Sequence, residues 1–162
     1  MSTPEERFGT DLRLLRDPTL HDSRAPGEDL GTRARPERVP AGAAAPDDLA
    51  TWTGVDNLAQ ALLLRLLTWR GELTRLGHPA YGSRLHELIG ELNDESTRSR
   101  AKLYVLQALA GEPRVARVVS VTVTASRRVR EQIDIALVLE TTAADAPPLL
   151  LTLPFSLAGG AA

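Results

Sequence analysis

The stretch Ala110-Gly111-Glu112-Pro113-Arg114-Val115 separates two parts of the chain that have different hydrophobic periods. The residues before it repeat at helical spacing, with an apolar face formed by Ala101, Tyr104, Val105, Ala108 and Leu109. Gly111 occupies the position at which a left-handed C′ residue commonly ends a helix, and Pro113 follows two residues later. We therefore expect a helix from Glu95 to Ala110, capped by Asn93 or Asp94, that leads directly into a sheet.

The residues after this junction alternate with the period of a strand. The apolar side of the first strand holds Val119, Val121 and Val123, and its polar side holds Ser120, Thr122 and Thr124. The second strand buries Val129, Ile133, Ile135, Leu137 and Leu139, and the third buries Leu149, Leu151, Leu153 and Phe155. Because an antiparallel sheet with one apolar face needs cover, the preceding helices must pack against it. The predicted fold class is α+β, a small antiparallel sheet of three C-terminal strands plus short N-terminal strands, covered by two to three helices.

A second helix is predicted from Gly54 to Thr68, after a Thr53–Asp56 capping box. Its apolar residues are too numerous for one stripe: Val55, Leu58, Ala59, Ala61, Leu62, Leu63, Leu64, Leu66 and Leu67. A helix packed on one side only has a polar opposite face, and polar side chains are few here after Gln60. The helix is either enclosed within its own domain or packed by another chain, and in so small a chain we favour another chain.

Composition divides the chain into four parts. Residues 1–15 form an N-terminal strand segment, and residues 16–47 form an arm or linker rich in proline, glycine and alanine. That arm has too few large apolar residues to offset the entropy of ordering it, so we expect it to order only against a partner. Residues 48–157 form the α+β domain, in which Ser83 caps a short helix from Arg84 to Ile89, and residues 158–162 form a frayed tail.

The bulk properties exclude several classes of function. The chain of 162 residues contains no cysteine, which excludes disulfides, thiolate catalysis and zinc–thiolate sites. Its net charge of −2 gives no electrostatic reason to bind nucleic acid. The start of the chain does not resemble a signal peptide, and no apolar run is long enough to span a membrane. We therefore expect a soluble, cytoplasmic protein that binds neither nucleic acid nor membrane.

Motifs for catalysis or cofactor binding are missing from the sequence. His86-Glu87-Leu88-Ile89-Gly90 begins like a helical zinc-protease motif but has glycine where the second histidine must stand. No glycine-rich nucleotide-binding motif and no nucleophile elbow are present. Glu72, Glu91 and Glu112 are the carboxylates that a glycosidase pair would use. Each has a structural explanation beside a turn or a helix end, so we expect no catalytic residue, no cofactor and no metal.

Five segments, taken in order, resemble the baseplate wedge proteins of contractile phage tails and related contractile injection systems, the gpW or lysozyme-like baseplate family. The segments are FGTDLRL (Phe8–Leu14), VDNLAQALLLRLLT (Val55–Thr68), RGEL (Arg70–Leu73), PAYGSRL (Pro79–Leu85) and EPRV (Glu112–Val115). Each is weak alone, but their order and spacing are fairly specific. Together they cover most of the chain outside the arm.

The resemblance implies a structural baseplate subunit that is not an enzyme. Such a subunit braces wedge proteins around the hub and spike, and its sheet edge receives strands from the first ring of sheath protein. The resemblance also implies six copies per particle, in a phage-tail-like assembly, and contact of Glu112, Pro113 and Arg114 with the helical core bundle of the wedge. We add Leu63, Leu64 and Leu67 from the apolar helix, and Tyr81, as predicted partner-binding residues.

Two alternatives stay open at this point. The chain could be a peptidoglycan hydrolase, as the lysozyme-like label suggests, in which case Glu112 is the carboxylate to test. It could also be a soluble regulator of the anti-adaptor type, because some proteins of this fold block a proteolysis adaptor.

Overall fold

The computed structural model of the protein describes residues 7–20, 32–34, 47–143 and 146–158. It confirms the α+β fold class. The strands are β1 (Thr10–Leu12), β2 (Thr32–Ala34), β3 (Asp47–Leu49), β4 (Thr51–Thr53), β5 (Val115–Ala125), β6 (Gln132–Thr141) and β7 (Leu149–Ser156). The helices are α1 (Gly54–Leu67) and α2 (Glu95–Leu109), with short 3-10 helices at Glu72–Leu76 and Leu85–Leu88. The short helix predicted after Ser83 is therefore one of the 3-10 helices.

The central sheet is antiparallel, in the order β5-β6-β7, and α1 and α2 pack against one of its faces. Its register places Val121 opposite Leu137, and Leu137 opposite Leu151. The four core-facing apolar residues of β6 are almost completely buried, as the alternation predicts: Ile133, Ile135, Leu137 and Leu139. Val129, which was predicted to be buried in the same strand, instead lies in the turn before β6 and is half-buried. The four core-facing residues meet the leucines of α1 in one core, which fixes the face of the sheet on which the helices lie.

Two irregularities in β5 change which of its valines face the core. The register with β6 shifts between Val115 and Arg117 and again between Val118 and Ser120. An extra residue at a β-bulge reverses the alternation on either side of it. As a result Val118 packs against the core, whereas Val119 is 47% exposed. The prediction that Val119 faces the same way as Val121 is wrong for this reason.

Helix α1 is enclosed by its own chain, so the preference for cover by another chain is wrong. The side-chain amide of Asn57 donates to the carbonyl of Phe8 at 2.9 Å. The Gln60 side chain accepts from the backbone amides of Leu14 and Leu15 and donates to the carbonyl of Leu12, all within 2.9 Å. The N-terminal segment therefore covers the side of α1 that the sheet and α2 leave open.

The helix ends differ in part from the expected caps. Asp94 caps α2 as predicted, because its carboxylate accepts from the amide of Thr97 at 2.8 Å. Thr53 precedes α1, but its hydroxyl makes no capping hydrogen bond. Gly111 is not left-handed, so that prediction is wrong. The chain instead leaves α2 through tight turns, in which the amide of Glu112 donates to the carbonyl of Leu109 at 3.0 Å.

Short ladders join the N-terminal part of the chain to the domain. Strand β1 pairs with β4, β2 pairs with β3, and the amide of Thr152 in β7 donates to the carbonyl of Thr19 at 2.9 Å. Most of the predicted arm, residues 21–31 and 35–46, lies outside the described residues, as do residues 1–6 and the end of the predicted tail. The four-part division of the chain therefore stays a prediction.

Candidate functional site

Glu112 lies in the turn between α2 and β5, and its side chain is buried. Its Oε1 accepts from Arg114 Nε at 2.7 Å, and its Oε2 accepts from Arg114 Nη2 at 3.1 Å. The backbone amide of Arg114 also approaches Oε1 at 3.3 Å. Pro113, between the two, is exposed and fixes the backbone φ. The Glu112-Pro113-Arg114 motif therefore folds back on itself. Arg114 binds the Glu112 carboxylate in a bidentate geometry, which is the strong geometry for an arginine–carboxylate pair.

A third charged residue, Arg65, reaches the same carboxylate from α1. Its Nη2 donates to Glu112 Oε2 at 3.1 Å. Its Nη1 lies 3.5 Å from the carbonyl of Ala108, in the last turn of α2, where a positive charge is favourable. Arg65 therefore connects α1, the end of α2 and the motif. We call Arg65, Tyr81, Glu112 and Arg114 the charged corner.

Tyr81 supplies the apolar wall of the charged corner. The guanidinium carbon of Arg65 lies 4.7 Å from the centroid of the Tyr81 ring, within the range of a cation–π contact. Gly82, which follows Tyr81, has φ of +99°, and a Cβ there would lie 2.7 Å from the carbonyl oxygen of Thr68. Only glycine fits such a backbone. Gly82 therefore lets the Tyr81 loop approach the end of α1 closely.

The charged corner keeps Glu112 ionised. Burial acts to raise the pKa of Glu112, but the hydrogen bonds and charge of Arg114, together with the charge of Arg65, outweigh it. The net pKa of Glu112 lies below its ordinary value of 4.5. The hydrogen bond to Glu112 in turn raises the pKa of Arg114, and burial raises that of Tyr81. A carboxylate held ionised by two arginines is suited to fixing a backbone corner and poorly suited to donating a proton.

The structure brings some of the predicted site residues together and separates others. Glu112, Pro113, Arg114 and Tyr81 lie at or beside the charged corner. Leu64 and Leu67 are half-buried on α1. Leu63 is fully buried in the core, so its side chain is not on the surface where a partner would meet it.

Arg65 is the residue of the charged corner that the sequence reasoning missed. It is the one charged residue within the apolar run from Ala61 to Leu67. A charged side chain in such a run is rarely buried unless it is paired, and this was the signal that could have pointed to an acidic partner such as Glu112.

The other candidate carboxylates have structural partners. Glu91 forms an ion pair with Arg100 at 3.1 Å, and Glu72 Oε2 accepts from the amide of Trp69 at 3.2 Å. Within the described ranges, no group of three or more histidine, aspartate or glutamate side chains is placed to hold a metal ion. In the same residues, no helix combines the length and the apolar character needed to cross a membrane.

Comparisons with known proteins place the chain in a family. The sequence model described as the contractile injection system sheath initiator matches residues 43–141, more than half of the chain. A search of curated proteins finds no match. A crystal structure from Geobacter sulfurreducens, of a protein named as a candidate tail lysozyme, superposes with a TM-score of 0.56 at 24% identity. The match covers 66% of this chain and 94% of that one, and it shows a shared fold. On the strength of the family match, the chain belongs to the contractile injection system sheath initiator family.

Proposed function

We propose that this member of the sheath initiator family is a baseplate subunit that braces wedge proteins around the hub and starts the first sheath ring by adding strands to its sheet. Family membership gives the chain a structural role in the sheath of a contractile injection system, in contact with sheath and baseplate components. The proposal adds which surfaces make those contacts. It also includes six copies per particle, as the resemblance implies, and assembly in the cytoplasm, as the sequence properties predict.

One observation supports the proposal: the Glu112-Pro113-Arg114 motif of the charged corner is followed directly in the chain by a strand with an open edge. The motif ends at Arg114, and β5 begins at Val115. Among the residues that the structure describes, β5 has a strand neighbour only on its β6 side. A subunit that docks through the motif therefore also fixes the position of an edge that can accept a strand.

The two edges of the sheet differ, which favours β5 as the accepting edge. At β7, the Thr19–Leu20 segment already forms a bridge to Thr152. Pro154, also in β7, has no amide to donate. Strand β5 is longer, with 11 residues, and contains no proline. Its bulges reduce indiscriminate pairing, a common protection for exposed edges, and still leave backbone groups for a matched partner.

Arg114 is the charged residue of the corner whose side chain is most exposed to solvent. Its side chain is partly exposed, and its Nε and Nη2 are both occupied by Glu112. The ion pair holds the guanidinium in one orientation, which lowers the entropy lost when a partner acidic group or carbonyl binds its remaining edge. In this proposal Glu112 and Arg65 position the arginine, and Arg114 with Pro113 contacts the helical core bundle of the wedge.

The test is complementation in cells that produce the particles and lack their own copy of this chain. The wild-type protein restores sheathed particles that negative-stain microscopy can count. Arg114→Ala is expected to leave the isolated protein folded and to reduce the number of sheathed particles by about tenfold or more, as for a central interface arginine. Arg75→Ala is the matched control, because Arg75 is an exposed arginine in the 3-10 helix Glu72–Leu76, outside both the charged corner and β5. Normal sheathed particles with Arg114→Ala would refute the docking role of the motif.

A further inference from the structure

Helix α2 exposes large apolar side chains on the face that points away from the core. Leu103 is 50% exposed and Leu106 is 36% exposed. With Ser99 and Ala110, which are also exposed, they form a row at steps of four, three and four residues. Steps of this kind place side chains in one seam along a helix, which is the spacing that a second helix requires. We call these four residues the outer seam of α2.

An open groove runs beside the outer seam. It has a volume of about 730 Å³, and it is lined at the end of α2 by Gln107 and Ala110 and, from the preceding segment, by Arg70, Arg84, His86 and Glu87. The exposed ring of Trp69 stacks on His86, with ring centroids 4.9 Å apart. Exposed tryptophan and arginine next to an apolar seam are residue types that are enriched in protein interfaces.

Beside the two leucines of the seam the unpaired charges are positive, whereas the exposed Glu95 lies one turn before Ser99, at the start of α2. Arg84 is neutralised by Glu87 at 2.7 Å, and Arg100 is paired with Glu91 at 3.1 Å. Neither Arg70 on the groove side nor Lys102 on the other side of α2 has an ion pair within the described part of the chain. The unbalanced charges beside the seam therefore favour an acidic partner.

We infer that the outer seam of α2 is a docking site for an amphipathic helix with acidic flanks, supplied by another protein of the particle. The spacing selects a helix, because a strand would need apolar residues at every second position. A second copy of this chain is a poor partner for the seam. If two copies of this face met, Arg70 and Lys102 of one copy would lie close to the positive charges of the other. The inference rests on the proposed function for the source of the helix, and it adds a contact separate from the charged corner.

The experiment places a photo-cross-linking amino acid, p-benzoylphenylalanine, at Leu106 in cells that assemble the particles. The matched control carries it at Leu150, an exposed leucine of β7. The expected adduct joins Leu106 to a segment of a different protein with apolar residues at three- and four-residue steps and aspartate or glutamate beside them. Leu150 is expected to give no adduct to that segment. Adding Arg70→Glu should lower the Leu106 adduct by about fivefold, whereas Arg128→Glu, on the exposed β5–β6 turn, should not change it.

Several outcomes would overturn the inference. One is an adduct with a second copy of the chain, and another is an adduct with an extended or basic segment. A third is the absence of any Leu106 adduct in particles that contain the protein. Immunoblotting of purified sheathed particles tests the proposed function separately, because the chain must be present in them. If Leu106 cross-links to an acidic helix but the chain is not found in purified particles, the docking site is supported and the proposed function is refuted. If there is neither an adduct nor any chain in the particles, the docking site and the proposed function are both refuted.

Discussion

Two arginine–glutamate pairs in this protein have the same chemistry and different surroundings. Arg65 and Glu112 lie 3.1 Å apart, with side chains that are 14% and 4% exposed. Arg117 and Glu140 lie 2.7 Å apart across β5 and β6, with side chains that are 66% and 45% exposed. The shorter pair is the one in water. The comparison teaches that distance is a poor guide to what an ion pair contributes, because solvent screening and the cost of burial decide it.

The difference follows from what remains when one partner is removed. At the exposed pair, water replaces the lost partner, and the two strands stay in register through their backbone ladder. At the charged corner, the guanidinium of Arg65 would remain buried beside Tyr81, with the carbonyl of Ala108 at 3.5 Å as its other hydrogen-bonding contact. A buried charge that loses its partner destabilises the fold strongly.

The largest expected effect is therefore that of Glu112→Gln. This isosteric change removes the charge and leaves the packing, and it should lower the free energy of unfolding by about 3 kcal/mol. Urea unfolding of the purified protein measures it. The matched change Glu140→Gln should leave the unfolding midpoint close to that of the wild type. Equal losses at the two positions would show that burial does not distinguish the pairs.

A smaller effect is expected in acid, and its sign follows from the pKa of Glu112. Because that pKa is depressed in the folded protein, ionised Glu112 contributes its full stabilisation above the ordinary value of 4.5. The contribution is lost as the pH falls through the folded pKa. The difference in unfolding free energy between wild type and Glu112→Gln should therefore be constant from pH 7 to pH 5 and narrow below about pH 4.5. A difference that stays constant down to pH 3 would contradict the assignment.

The parts of the fold that depend on local periodicity were predictable. The alternation of β6 identified its four buried apolar residues but not the buried Thr141, and the predicted helix from Gly54 to Thr68 ends one residue beyond the observed one. In both elements the buried side chains recur with the regular period of the backbone, so the one-dimensional pattern carries the information.

The parts that depend on long-range contacts were not predictable. The apolar surplus of α1 suggested a partner chain, but residues 7–15 cover that helix, and no local pattern encodes that packing. The exposed Leu103 and Leu106 of α2 could not be recognised as a surface from the sequence, because charged residues lie around them in the chain. The bulge that turns Val119 outward depends on pairing with β6.

Most residues of the candidate site were named from the sequence, but Arg65 and the geometry of the site were not. The resemblance identified Glu112, Pro113 and Arg114, but it gave no reason to expect that the carboxylate faces inward. That orientation depends on Arg65, which lies 47 residues earlier in the chain. Sequence spacing cannot show that two such distant residues are in contact. The different roles of Glu112, which is buried, and Arg114, which is partly exposed, could therefore be seen only in the structure.

The most direct test of the account is a double-mutant cycle between Arg65 and Glu112, measured by urea unfolding of wild type, Arg65→Met, Glu112→Gln and the double variant. The central claim is that the motif is a corner held from within by Arg65. It predicts a coupling free energy of about 2 kcal/mol, within the range for residues in one buried network. A coupling below about 0.3 kcal/mol, the level of independent sites, would contradict it.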